Sequence, residues 1–536
     1  MRPPAPPRDA QRGPDRTAAA SRVLRLVAAI SFLGTAAAAV VTESRADDES
    51  PRPHIVIYLG DDHGQEFLGC YGNEAIRTPH LDALARDGIR LNRAFAVTST
   101  CTPSRSVLYT GLYPAENGSL ANHTSCRDDV RALPAYLRPL GYRVVLVGKT
   151  HVAPRRVFDF ELLRAQLPPG PDGPPRFRSP GLDIGVVEQF LGEHRASSPN
   201  QPLCLILADD NPHVVWEKNK IYEPARLPLS PRMVDTPQTR AALANYYQDI
   251  TTLDARIGRL RAALDRHGYA QNTLFLYTSD QGSEWPKSKW TVYDAGLRVP
   301  FLAVWPEKIP AGRTTNALVS FVDVLPTLVE AAGGDAAQID ATPGGTDPGD
   351  ARDGDARDGD VADGDVVVGD RADPFAGRSF LAVLRGEQDT FREFVYGTHT
   401  GDGRMNLFPQ RSVRGERYKY ILNLRPDVKW KTHFTEVDGI PLSHRDVYAT
   451  WLDRAKTDAT AARLIDAIEN HPAEEFYDLE ADPDELDNLI ERPEHAVRIA
   501  EYRARLAAWM KATGDEGLAT EAREAERHRR ERQRGR

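Results

Sequence analysis

The sequence predicts an α/β fold: a large mixed, mostly parallel sheet flanked by helices, with a smaller C-terminal α+β domain that contains an antiparallel sheet. Three observations carry that expectation. Five apolar runs are too continuous for strands with one wet face. Helical patterns lie between those runs, and strands alternating with helices imply parallel pairing through crossovers. Later in the chain, "RSVRGERYKYILNL" alternates at the two-residue period of antiparallel strands. With 536 residues, the chain has room for two domains of the usual ~100–200 residues each.

Residues 1–46 read as a signal peptide. A Pro- and Arg-rich stretch precedes an uncharged run from Leu26 to Thr42, and Ser44 and Ala46 are the small residues ahead of the cut. The run is Ala-rich and falls short of the ~20 residues a membrane span needs. The expected protein is therefore exported, periplasmic or extracellular, with no stable membrane insertion after signal cleavage.

Residues 52–334 read as the larger domain. Its strands are "HIVIYLG" (54–60), "YRVVLVG" (142–148), "PLCLILA" (202–208), "TLFLYTS" (273–279) and "PFLAVWP" (300–306). Its helices are "PHLDALARDG", "VRALPAYLRPLG" and "ALANYYQDITTLDARIGRLRAALDRHG", the last long, amphipathic and closed by a glycine. Residues 335–374 carry an imperfect "ARDGD" repeat and hold too little apolar surface to order themselves. They lack the nonapeptide spacing of calcium-binding repeats, so the expectation is a disordered insertion. Residues 375–514 read as the α+β domain, closing with the helical "EHAVRIAEYRARLAAWMKATG". Residues 515–536 read as a charged, solvated tail.

The formal net charge is −9, with no basic stripe in the body of the chain, which argues against a nucleic-acid partner. A local basic pocket can still take an acidic substrate. The four cysteines, Cys70, Cys101, Cys126 and Cys204, are too few for a disulfide scaffold. If one is used chemically, at most one bridge forms among the rest.

Polar clusters follow four of the strands. Asp61 and Asp62 follow the first, Lys149, Thr150 and His151 the second, "DDNPH" (209–213) the third, and Asp280 and Gln281 the fourth. In open α/β sheets, ligands bind outside the carboxyl ends of the strands. The stretch "TSTCTPSRSVLYTG" belongs to the same edge. Pro103 suits the first turn of a helix, Gly111 its end, and Cys101 its start, where free N–H groups favour an anion. Cys101 is then either a small buried hydrophobe or a reactive thiol beside Arg105. Asp61, Asp62 and Asp280 would repel one another without a cation. With Gln281 they make an oxygen-only set, which points to calcium or magnesium rather than zinc. Arg105, Lys149 and Lys289 suit an anionic substrate group, and His151 and His213 exchange protons near neutral pH. Together these groups describe sulfuryl or phosphoryl transfer.

"CTPSRSVLYTG" resembles the signature of the formylglycine-dependent sulfatase family, of the alkaline-phosphatase-like superfamily. "YLGDDHG", "TPHLDALARDGIRLNRAF", "LVGKTHV", "NPH", "TSDQG", "LRVP", "DVLPTL" and "EEFYDLEADPDELDNL" are similar to its other motifs. Within the family, "GKTHVAPRRVFDFE", the "RSVRGERYKYILNL" segment and the tail motif look most like the sulfamidase (heparan N-sulfatase) type. The resemblance implies that 52–334 is the catalytic domain. It implies that Cys101 is converted to formylglycine (3-oxoalanine) by a formylglycine-generating enzyme. Asp61, Asp62, Asp280, Gln281 and the modified Cys101 would bind a calcium ion. The aldehyde hydrate would attack sulfur, with Asp280 as base. Arg105 and Lys149 would hold the diol and the sulfate. His213 and Lys289 would hold the sulfate and assist the leaving group, and His151 would take a proton from the second hydroxyl. The implied substrate is a sulfated saccharide, N-sulfated glucosamine first; the alternatives are an O-sulfatase on another sulfated glycan, a phosphatase or phosphodiesterase of the same superfamily, and a non-catalytic binder of sulfated glycans, and the resemblance gives a homodimer as the assembly to test. Two positions depart from the pattern. Gln281 stands where many sulfatases carry Asn or His, and Asn211 stands two before His213, where it would alter the leaving-group pocket.

Overall fold

The structure is a computed structural model that describes residues 51–165, 181–335, 374–402, 405–435 and 445–533. The expected signal peptide and nearly all of the 335–374 insertion lie outside the described residues. Among those described, no helix is long and apolar enough to cross a membrane.

All five expected strands form. They sit in an eight-stranded sheet whose order is Arg313–Thr315, Ile89–Leu91, Phe301–Val304, Thr273–Ser279, His54–Gly60, Leu203–Ala208, Arg143–Gly148 and Glu161–Leu163. The four central strands, Thr273–Ser279 through Arg143–Gly148, all run parallel. Phe301–Val304 runs antiparallel to both neighbours, which makes the sheet mixed. Side chains alternate between two cores, as a strand demands. Ile55, Ile57, Leu274, Leu276, Val144 and Leu146 enter one cluster. Val56, Tyr58, Phe275, Tyr277, Val145 and Val147 enter the other. Each fully buried side chain of this size contributes roughly 1.5–3 kcal/mol.

Helices cover both faces. Cys101–Thr110, Leu133–Leu137 and Val324–Ala331 pack in the first cluster. Pro79–Asp87, Ile184–Ser197 and part of Pro237–Arg266 pack in the second. The Pro237–Arg266 helix starts where the Thr236 side chain accepts from the Thr239 N–H and has Pro at its first position. It is followed by Gly268 at φ 72°, the left-handed conformation that follows many helix ends. The helix Ile184–Ser197 has no counterpart among the expected elements.

The C-terminal part holds the expected antiparallel sheet, of order Val395–His399, Gln410–Arg414, Tyr418–Asn423 and Glu474–Asp478. Its helix Ala496–Ala512 brings Ile499, Leu506 and Trp509 into the same cluster as Ile55 and Val107. The tail departs from expectation. Leu518–Gln533 is a helix tied to the body rather than a solvated run. The reason is Arg411, fully buried on its strand, which pairs with Asp515 and with Glu521 at 2.8 Å. A buried charge must be paired, and the tail supplies the partners. Arg527 adds bonds from Nη2 to Gly118 O (2.6 Å) and Ser125 O (2.8 Å). The four cysteines are free, so no internal bridge forms.

Candidate active site

Because Thr273–Ser279, His54–Gly60, Leu203–Ala208 and Arg143–Gly148 are adjacent and parallel, their polar clusters exit on one edge. Asp61, Asp62, Asp280 and Gln281 are completely buried there. Asp62 has φ 65°, a left-handed conformation that Asp tolerates better than most residues. The loop is drawn together by Asp280 Oδ1, which accepts from the N–H groups of Asp62 (3.2 Å) and Gln281 (3.0 Å). Gly282 follows, where a Cβ would lie 1.8 Å from Ala295 O, so only glycine lets the two backbones approach.

The helix Cys101–Thr110 starts above this edge, with every residue buried, and ends at Gly111 with φ 68°. Ser104 Oγ donates to Asp280 O and anchors the first turn to the strand end. Cys101 Sγ lies 3.5 Å from Asp61 Oδ1 and accepts from Gln281 Nε2 at 3.1 Å. Burial pushes the Cys101 thiol up, further than the nearby lysines pull it down. Desolvation outweighs the nearby cations at this thiol, and the carboxylates of Asp61 and Asp280 add to it.

Each carboxylate meets at least one cation. Lys149 Nζ donates to Asp61 Oδ2, Lys289 Nζ to Asp62 Oδ2 at 2.7 Å, and Arg105 Nε to Asp280 Oδ2 at 2.9 Å. Arg105 Nη2 also lies 3.7 Å from Asp61 Oδ1. Burial opposes ionisation of Asp61, but Lys149, His213 and Arg105 outweigh it and hold the carboxyl well below its usual range. Asp280 goes the other way: burial and the charge of Asp61 push it up to about 8. His213 is held near its neighbour carbonyl, Nδ1 to Val214 O at 2.6 Å, with Nε2 3.8 Å from Asp62 Oδ2. Burial and Lys289 lower His213 to about 4, so it is neutral at pH 7. His151, at φ 46°, is also held neutral by burial and Lys149.

The carboxylate and amide oxygens fit a hard cation, and the Cys101 sulfur, a soft donor, does not. Asp61, Cys101 and Asp280 offer ligand atoms within 4.8 Å of one another. Gln281 Oε1 is buried without a partner among the described residues, an acceptor that the folded chain leaves over. The site thus brings together Asp61, Asp62, Cys101, Arg105, Lys149, Asp280, Gln281, Lys289 and His213, with His151 at its side.

Asn211 does not join it. Its side chain is buried, accepts from Arg256 Nη1 at 3.0 Å and donates to Asp249 O at 3.4 Å. Asp209 likewise binds Arg256 and Tyr58. Asn211 and Asp209 are thereby tied to Arg256 on the long helix Pro237–Arg266. Two residues went unnoticed in the sequence. Glu284 offers an oxygen within 4.8 Å of ligand atoms of Asp62 and His213, and burial pushes it up to about 8. Its signal was its place three residues after Gln281. His123 lies beside His151, with Nδ1 2.9 Å from His151 Nε2, and no local pattern marks it.

Known proteins share this arrangement of chain. The family profile described as Sulfatase matches residues 53–334. An ulvan-active sulfatase of Formosa agariphila is 32% identical over 471 residues, which span 87% of this chain and 81% of that protein. The N-sulphoglucosamine sulphohydrolase of Homo sapiens is 26% identical over 495 residues, 86% of this chain and 90% of that protein. The solved structure of BT4656 in complex with its substrate D-glucosamine-2-N,6-O-disulfate has a TM-score of 0.59 at 20% identity, covering 87% of this chain and 99% of that one. At that identity the likeness is one of fold.

Proposed function

The chain belongs to the sulfatase family, and on that premise we propose that it releases sulfate from a sulfated glycan by way of a formylglycine made from Cys101. The observation that supports this most is the position of Cys101. It opens a fully buried helix, over three buried carboxylates, with a cation on each of them. As a thiol it is a poor nucleophile there, because burial raises it. As an aldehyde hydrate it supplies two hydroxyls, one to attack sulfur and one to release the sulfate afterwards. Asp61, Asp62, Asp280 and Gln281 would hold calcium, which supplies charge stabilisation and a lowered proton affinity at the bound oxygen.

The chain's own groups supply the rest. Arg105 is locked by Asp280 and by Lys149 O (3.2 Å), so its charge is fixed before substrate arrives. Lys149 and Lys289 stay protonated, because the carboxylates they touch raise them further than burial lowers them. Fixed cations around developing negative oxygens are the largest single source of rate in such transfers. His213 Nδ1–H donates to Val214 O, which leaves Nε2 as an acceptor while the ring is neutral. Lys289 is then the proton donor of that pair. A departing alkoxide or amide anion is basic enough to take its proton.

For the glycan, an O-sulfated polysaccharide of the ulvan kind is the first reading, supported by the 32% identical relative. N-sulfated glucosamine is the second, supported by the 26% identical human relative over nearly its whole length. Sulfate release from ulvan oligosaccharides and from N-sulfoglucosamine, measured side by side, separates them. Faster release from ulvan supports the first, faster release from N-sulfoglucosamine replaces it with the second, and release from neither removes both.

A further inference from the structure

His123 is not among the residues proposed above to hold the cation or the sulfate. Its side chain is 64% exposed, yet its backbone is held at φ 60°. The loop is pinned on several sides. His123 N donates to Thr102 Oγ1 (3.1 Å) in the first turn of the Cys101 helix. Cys126 N donates to Ala153 O (2.8 Å), which ties the loop to the one that carries His151. Arg527, from the C-terminal helix, binds Gly118 O and Ser125 O.

The hydrogen-bond directions can be read from Asn122. Its Oδ1 accepts from Thr102 N at 3.2 Å, so its Nδ2 must face the other way. There Nδ2 lies 3.1 Å from Asp402 Oδ2 and 3.2 Å from His123 Nε2. An amide nitrogen is only a donor, and a carboxylate only an acceptor. His123 Nε2 therefore accepts from Asn122, with Asp402 Oδ1 3.6 Å away and beyond hydrogen-bond distance, and in the neutral ring its Nδ1 carries the proton. That proton points at His151 Nε2, 2.9 Å away. His151 Nε2 then accepts, and the His151 proton sits on Nδ1. His151 Nδ1 is buried and has no partner among the described residues. Lys149, His123, Arg105 and Asp61 are the groups whose charges act on that ring.

We propose that His123 is a positioning residue that, with Asn122 and Asp402, fixes the ring and tautomer of His151 so that its Nδ1–H serves as a hydrogen-bond donor to the reacting group. His151 in this arrangement orients an oxygen rather than accepting its proton. The inference rests on the sulfatase reading for what the reacting group is, but the tautomer does not depend on it.

The test uses the full-length protein with Cys101 conversion measured by mass spectrometry in each variant. Sulfate release is followed from ulvan oligosaccharides and from N-sulfoglucosamine. His123→Ala is expected to lower kcat about tenfold, the worth of one well-placed hydrogen bond, with KM changed less than kcat. His123→Asn places an amide N–H where Nδ1 was and is expected to recover most of that loss. His123→Gln reaches to the position of Nε2 and is expected to recover little. Equal activity in the Ala variant and the wild type, or equal loss in the Ala and Asn variants, overturns the proposal. Independently, nitrogen-15 NMR of the histidine rings, without substrate, should show His151 protonated at Nδ1 in the wild type. A proton on His151 Nε2 overturns the proposal even in an active enzyme. A wild type that releases no sulfate counts against the functional reading instead, and the NMR result then decides the tautomer alone.

Discussion

Arg105 and Asp280 face each other across the junction of helix and sheet, Nε 2.9 Å from Oδ2, with both side chains wholly shielded from water. The pair couples two segments that meet only in the fold: the helix that begins at Cys101 and the strand that ends at Ser279. It places a permanent positive charge beside Cys101, and it is part of what holds Asp280 in place.

Removing one partner of such a pair strands the other. Arg105→Ala is expected to destabilise the fold by roughly 3–5 kcal/mol and to abolish sulfate release. Arg105→Lys keeps the charge but loses the Nε–H bond to Asp280 Oδ2 and the close approach of Nη2 to the same oxygen. It is expected to recover part of the stability and little of the turnover. Thermal melts and sulfate release on the same preparations check both.

Chelation should affect stability as well as activity. Asp61, Asp62, Asp280 and Gln281 are buried together, and Gln281 Oε1 is an acceptor without a donor among the described residues. Calcium bound to the folded state alone would stabilise it by about 2.7 kcal/mol at a hundred times its dissociation constant. Treatment with a calcium chelator is expected to lower the melting temperature and stop sulfate release. Added calcium is expected to restore both, and a melting temperature that ignores calcium contradicts this donor assignment.

The C-terminal helix should behave as part of the fold. Asp515→Ala removes a carboxylate from the fully buried Arg411 and is expected to cost about 3–5 kcal/mol. Among the described residues, Glu526 pairs with exposed arginines of its own helix, and Glu526→Ala is expected to change stability by less than about 0.5 kcal/mol. Denaturant titrations of the two variants separate a docked helix from a solvated tail.

Acid should destabilise the protein partly through His399. This ring is fully buried, bonded at Nε2 to Asn406 O (3.0 Å), and burial lowers it from 6.5 to about 4. Between those values the unfolded chain binds the proton and the folded chain does not. The contribution is therefore complete above pH 6.5 and lost as pH falls towards 4, up to roughly 3 kcal/mol. Melting temperatures from pH 7 to pH 4.5 should fall less steeply in His399→Gln than in the wild type.

Much of this was legible in the sequence because burial leaves a strong local mark. Continuous runs such as "PLCLILA" cannot be half-exposed, and the residues that follow them must gather at one edge once the strands are parallel. What burial cannot encode is direction. "PFLAVWP" reads like its neighbours but runs antiparallel. Charge runs are also ambiguous: "EAREAERHRRERQ" looks solvated until Arg411, far back in the chain, claims Asp515 and Glu521. The same holds for His123. Its partners Asn122, His151 and Asp402 come from three segments, so no spacing announces them. Asn211 shows the reverse case, a residue beside a motif whose side chain turns inward to Arg256.

The state of Cys101 in protein from its own host tests the central claim most directly. Mass spectrometry of the peptide that spans "TSTCTPSR" reads it without any assumption about substrate. The account predicts the mass of the aldehyde or its hydrate at Cys101 in the active fraction. An unmodified thiol in protein that still releases sulfate would contradict it.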